Sequence, residues 1–202
     1  ALQEKKIFSV LKHYPGHGRA TGDSHFEAQA IDIDWNKLLQ TDLVPFMAAI
    51  HAGVGGIMTA HIEYPRIEPQ KIPVSMSEIF LRDKLRRSLE FKGLIITDAL
   101  DMKGITSVTG PEEAAVKSLN AGVDMLLCPE NAEEIRDAIL AALQQGKLKA
   151  EYLEQSFYRI QKYKKEFGIL DAKVDLTQNA QKRAIIGSDA HKESLEKALG
   201  NQ

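Results

Sequence analysis

Lys12-His13-Tyr14-Pro15-Gly16-His17-Gly18-Arg19-Ala20-Thr21-Gly22-Asp23-Ser24-His25 decides how the rest of the chain is read. The apolar run Ile7-Phe8-Ser9-Val10-Leu11 leads straight into it. Pro15, Gly16, Gly18 and Gly22 then forbid a helix, so a short buried strand is predicted to open into a long glycine-rich loop. Lys12, Arg19, Asp23 and the histidines at 13, 17 and 25 ride on this stretch. Loops that carry such groups over a rigid scaffold are where binding and catalysis concentrate. Residue chemistry alone leaves three readings open: a solvated polar loop, a metal site built from His13, His17, His25 and Asp23, or a catalytic loop. A nucleotide-phosphate loop is excluded, because no Gly-Lys-Ser/Thr closes the stretch.

Outward from this loop, short apolar runs alternate with longer amphipathic ones. Strands are predicted over about 7–12, 55–61, 93–98 and 122–128, and helices over about 34–52, 76–90, 111–120, 131–145 and 149–167. In 34–52, Leu38, Leu39, Leu43, Phe46, Met47 and Ile50 recur at helical spacing, and Gly53 supplies the stop. Ser77 is predicted to cap the next helix, ahead of Ile79, Phe80 and Leu85. In 149–167, Leu153, Phe157, Ile160 and Tyr163 share one face, which is read as core. Residues 171–183 read as a surface connection, and 184–199 as a last helix.

Continuously apolar strands alternating with helices make an α/β fold with a parallel sheet covered by helices. Each strand finishes in polar residues: Lys12-His13, His61, Thr97-Asp98 and Cys128-Pro129. In a TIM-type barrel the carboxyl ends of the strands build the site, and no dinucleotide fingerprint follows any strand to favour a doubly wound sheet. A closed barrel has eight strands, whereas about four are readable here, so the chain is expected to be half a barrel. The expected division is a partial barrel over 1–170 and a C-terminal connection and helix over 171–202.

With 202 residues the chain can bury a real core. A formal net charge of −2 without long single-sign blocks gives no basic face for nucleic acid. No apolar run approaches a membrane span, and the polar start Ala1-Leu2-Gln3-Glu4-Lys5-Lys6 does not read as a signal peptide. A cytoplasmic location is favoured, with a periplasmic or secreted one left open. The single Cys128 excludes an internal disulfide framework.

Four ordered motifs carry a family resemblance: Lys12 to Gly18 followed by Asp23-Ser24-His25, Ile57-Met58-Thr59-Ala60-His61, Gly93 to Met102, and Ala121 to Cys128. Together they resemble the family 3 glycoside hydrolases, in particular the bacterial β-N-acetylglucosaminidase branch. The resemblance implies that the visible strands are about strands 5–8 of the family's barrel. It also implies a retaining exo-β-N-acetylglucosaminidase acting on cell-wall muropeptides or chitin-type sugars, as in peptidoglycan recycling, with no cofactor and no metal. On this resemblance Asp98 is the nucleophile, forming a glycosyl-enzyme, and the acid/base is His25 paired with Asp23 rather than a second carboxylate. A histidine titrates near neutrality, so it can give and retake a proton. Lys12 and His13 are assigned to sugar hydroxyls, and His61 to the pocket lining. Further sugar-binding residues would lie in the half of the barrel not seen here, supplied by upstream residues or by another chain.

Three alternatives compete. One is a phosphorylase of the same branch, because a histidine acid/base does not repel phosphate. Another is a metal-dependent hydrolase using the histidine cluster, although its spacing matches no common zinc pattern. The last is an inactive, truncated barrel that only packs on a partner.

Overall fold

The four apolar runs pair side by side in chain order. In the computed structural model, which describes residues 2–20, 22, 29–127, 130–170 and 188–198, they are β1 (Val10–Tyr14), β3 (Gly56–Thr59), β5 (Leu94–Ala99) and β6 (Met125–Leu127). All are parallel, in the order β1-β3-β5-β6. Beyond the carboxyl end of β3, a two-residue ladder joins β2 (Gln29–Ala30) to β4 (Ile62–Glu63). Each new strand of the main sheet is added on the same side. A doubly wound sheet would reverse its order at a switch point, so this winding is that of a TIM-type α/β barrel, seen as a four-stranded arc.

The pairing Ile57↔Ile95 puts two fully buried β-branched side chains next to each other. Close backbone approach sets the start of the ladder. Leu94 N donates to Gly55 O at 2.8 Å, and a Cβ on Gly93 would run into that same carbonyl and into the Phe91 ring. β1 begins three residues later than the apolar run suggests, so Lys12 and His13 lie inside the strand. Phe8 instead packs edge-on against Tyr163 and Phe167, with ring centroids 5.3 and 5.4 Å away.

The expected helix over 34–52 is two helices, α1 (Trp35–Gln40) and α2 (Val44–His51). Pro45 is the reason: it lacks a backbone N–H and its ring would strike the carbonyl four residues back. Asp34 caps α1 by accepting from Lys37 N at 2.9 Å. Gly53, with φ +76°, follows the end of α2. The Ile79–Ser88 helix is of the π type. Ser77 Oγ accepts from Phe80 N at its start and donates to Glu68 Oε2. Phe80, Leu81 and Leu85 are fully buried with Tyr14, Leu38, Leu43 and Ile57. Burying one such side chain contributes about 1.5–3 kcal/mol.

The short α3 (Lys103–Thr106) follows β5, and α4 (Pro111–Ala121) leads to β6. Gly122 ends α4 at φ +107°, where its own N–H and that of Val123 close the last turn on Ser118 O. α5 (Ala132–Gln144) starts at Asn131, whose side chain accepts from Glu133 N and Glu134 N. α6 (Ala150–Glu166) presents Ser156 and Arg159 to the amino end of β6, through Val123 O and Asp124. That orientation corrects one expectation: Phe157 lies off the packed face and is 57% exposed. The chain divides into two compact units, Ala1–Phe167 and Gly168–Gln202. The second contains α7 (Asp189–Ala198), laced by Lys192–Asp189 and Lys197–Glu193 ion pairs. Among the described residues no helix is long and apolar enough to cross a membrane.

Candidate active site

The carboxyl ends of β1, β3 and β5 bring three predicted residues to one rim. Asp98 sits near the end of β5, its side chain 15% exposed. Its Oδ1 accepts from Ala99 N at 2.9 Å, while Oδ2 lies 3.3 Å from His13 Nε2. His13 is on β1, so this contact reaches across the end of the intervening β3. Thr97, fully buried just before Asp98, accepts through Oγ1 from Leu127 N at 3.0 Å and ties β5 to β6. Asp98 is therefore a carboxylate on a fixed strand, with one oxygen held by its own backbone and the other facing a histidine. It does not cap a helix. The cap position of α3 is Met102, and Asp101 is exposed beside it.

His61 follows β3 and is 1% exposed. Its Nε2 is 3.0 Å from Ala99 O and its Nδ1 is 2.9 Å from Ser75 Oγ. A carbonyl only accepts, so Nε2 carries the proton and Nδ1 accepts from the Ser75 hydroxyl. Burial pushes the His61 pKa below its ordinary value, against the opposing pull of the Asp98 charge. The imidazole is a neutral brace between β3 and β5, with both nitrogens engaged inside the protein. Nothing in the sequence pairs His61 with Ser75.

The glycine-rich loop is pinned at several points. The Tyr64 hydroxyl donates to Gly16 O at 2.8 Å. Gly16 has φ +140°, and a Cβ there would meet Asp42 Cβ at 2.8 Å, so glycine is required. Arg19 donates through Nε to Asp42 Oδ2 at 2.8 Å and through Nη2 to Thr41 Oγ1 at 3.2 Å. Burial alone would raise the Asp42 pKa; the Thr41 hydroxyl and the Arg19 guanidinium outweigh it and hold the carboxyl below its ordinary value. Arg19 is thus an anchor of the loop. His17 packs edge-on against His13, ring centroids 5.9 Å apart. Lys12 is exposed on β1. Asp23 and His25 lie outside the described residues, as does Cys128. The ends of the stretch that carries Asp23 and His25 are nonetheless tied together, since Gly22 N donates to Gln29 Oε1 at 3.0 Å. Among the described residues no three histidine, cysteine or carboxylate side chains converge as metal ligands.

Comparison with known proteins identifies the family of the chain. Residues 1–163 match the model of the glycosyl hydrolase family 3 N terminal domain. The chain is 37% identical over 184 residues to beta-hexosaminidase A of Pseudoalteromonas piscicida, covering 81% of this chain and 31% of that protein. It resembles the structure of a glycoside hydrolase family 3 beta-N-acetylglucosaminidase from Paenibacillus, with TM-score 0.82 and 33% identity over 86% of this chain and 34% of that one. A beta-glucoside phosphorylase, BglX, is also similar, with TM-score 0.86 and 28% identity over 95% of this chain and 36% of that one. The chain thus spans about a third of the length of these relatives.

Proposed function

Since the chain belongs to glycosyl hydrolase family 3, we propose that it carries the nucleophile and the acid/base loop of a retaining exo-β-N-acetylglucosaminidase. The substrate would be terminal β-linked N-acetylglucosamine on cell-wall muropeptides or chitin-type sugars. One observation carries this reading: Asp98 stands at the carboxyl end of a barrel strand, partly exposed, with Oδ2 turned toward His13. Asp98 attacks the anomeric carbon as His25, oriented by Asp23, protonates the departing glycosidic oxygen. Water then attacks the glycosyl-enzyme, giving its proton to His25 and releasing Asp98 as carboxylate. His13 and Lys12 hold sugar hydroxyls, and His13 also limits rotation of the Asp98 carboxylate. His61 acts one step back, fixing the Ala99 carbonyl and with it the peptide that follows the nucleophile. Four strands make half of an eight-stranded barrel, and the others come from upstream residues or a second chain.

Asp98→Ala in the full chain, assayed with an aryl β-N-acetylglucosaminide, should lose several orders of magnitude in turnover. Retention of more than about a tenth of the activity, an effect of only ~1.4 kcal/mol, would remove Asp98 from the nucleophile role. A slow fluorinated glycosyl substrate should leave its sugar on the peptide that contains Asp98. The likeness to a beta-glucoside phosphorylase favours a second reading, in which phosphate rather than water takes the glycosyl group. Phosphorus NMR of the products in phosphate buffer separates the two, a sugar 1-phosphate marking the phosphorylase.

A further inference from the structure

At the amino end of the sheet, opposite Asp98, two helices face each other with cationic side chains. The Ile79–Ser88 helix contributes Arg82 and Arg86, one turn apart, and α6 contributes Gln155 and Arg159, also one turn apart. Together with Arg87 and Lys92 they line a cleft of about 480 Å³, and no carboxylate is among its lining residues. The buried acid Asp124 lies behind it and is fully engaged. Its Oδ2 accepts from Arg86 Nη2 and Ile95 N, and its Oδ1 from Arg159 Nε.

One buried carboxylate therefore serves two guanidiniums, and Arg87 pairs with the exposed Asp83 on its own helix at 2.8 Å, whereas Arg82 and Lys92 have no ion-pair partner among the described residues. Arg159 uses only Nε, and Arg82 uses only Nε, on Asn120 O, while its guanidinium plane lies 3.5 Å from the centre of the Tyr152 ring. The outer nitrogens of both, the Lys92 ammonium and the Gln155 amide remain as donors. Burial and then the Arg159 charge, against the pull of Asp124, push the Arg86 pKa down to about 10.

We propose that this cleft is a binding site for a phosphate-class dianion, inorganic phosphate or a small phosphate monoester, separate from the rim that carries Asp98. Planar guanidinium forks suit tetrahedral oxyanions, and Arg82 is already held flat by Tyr152. A carboxylate ligand would fill fewer of these donors than the three outer oxygens of a phosphate. The two probes separate the sources of such an anion: tighter binding of glycerol phosphate than of inorganic phosphate points to an ester, and the reverse to the free ion.

The test is isothermal titration of the full chain with each anion, against sodium chloride at matched ionic strength. Lys92→Gln removes one charge-assisted contact and should weaken binding by about tenfold. Gln155→Glu places a carboxylate in the cleft and should weaken it at least as much. Neither side chain makes a hydrogen bond or ion pair among the described residues, so both variants should keep the fold, whereas Arg159→Gln disturbs Asp124. Saturable binding lost in both variants supports the site. Absence of saturable binding above the chloride control overturns it. So does binding that both variants leave unchanged, which would place the anion at the rim.

Discussion

Replacing Asp124 by alanine should destabilise the fold more than any substitution at the rim. Its side chain is fully buried, and three donors converge on it: Arg86 Nη2, Arg159 Nε at 2.9 Å and Ile95 N at 2.8 Å. Arg86 is 17% exposed and keeps only Phe91 O and Gly93 O once the carboxylate is gone. Removing one partner of a buried ion pair costs about 3–5 kcal/mol, because the other charge is left buried. Arg159, 28% exposed, can rehydrate, which pulls the figure toward the lower end. Stranding the Ile95 N–H adds about 1–3 kcal/mol unless water reaches it. Against a typical total of about 5–15 kcal/mol, such a loss leaves a marginal protein. Asp124→Asn keeps an acceptor for Ile95 and should lose roughly half as much. Urea unfolding followed by circular dichroism reads the effect as a lower midpoint at constant slope. A loss below about 1 kcal/mol for Asp124→Ala would mean that the network behaves as an exposed ion pair, and the reasoning would fail.

His25→Ala should cost most activity on substrates with poor leaving groups and little on a dinitrophenyl glycoside, whose phenolate departs unprotonated. Equal losses on both substrates would remove His25 from the acid/base role. His61→Gln should flatten the pH dependence of stability. The folded His61 pKa lies below its unfolded value near 6.5, so the unfolded chain binds the proton first. The stability His61 contributes is then complete above about pH 6.5 and is lost, at up to ~1.4 kcal/mol per pH unit, as pH falls toward the lowered folded value. Urea midpoints of wild type and variant that fall in parallel between pH 7 and 5 would contradict this sign. Gly93→Ala should cost about 1–3 kcal/mol, since its Cβ would overlap the Gly55 carbonyl and approach Phe91 Cζ at 2.5 Å. An unchanged melting temperature would show that β3 and β5 can move apart freely.

The strand–helix order was legible because period and breakers are local properties. Ile95, Ile57 and Leu11 are apolar in sequence and paired in space for the same reason. The same local reading failed where one residue overrides a pattern. Pro45 splits a run of apolar residues at helical spacing, and Phe157 shares the period of Leu153, Ile160 and Tyr163 yet lies off the face of α6 that packs. Contacts between distant residues were not legible at all. The His61–Ser75 bond and the Arg19–Asp42 pair join positions whose types carry no mutual signal. Arg19 in particular reads only as one more charge on the glycine-rich loop until Asp42 is seen beside it.

Two aspartates show how far residue type alone can go. Asp98 and Asp124 both flank apolar strands, and each accepts from a backbone N–H and faces a cationic or potentially cationic ring or fork. What separates them is chain direction in a parallel sheet. Asp98 comes near the end of β5 and Asp124 just before β6. Adjacent parallel strands therefore carry the two carboxylates to opposite poles of the arc. At the amino pole α6 and the Ile79–Ser88 helix close over Asp124, and three donors consume its charge. At the carboxyl pole Asp98 stays partly exposed with one oxygen turned to His13. A carboxylate surrounded by fixed donors stabilises the ground state of the fold. One held by its backbone with an oxygen still accessible keeps a lone pair, which the proposed glycosyl transfer would use on the anomeric carbon.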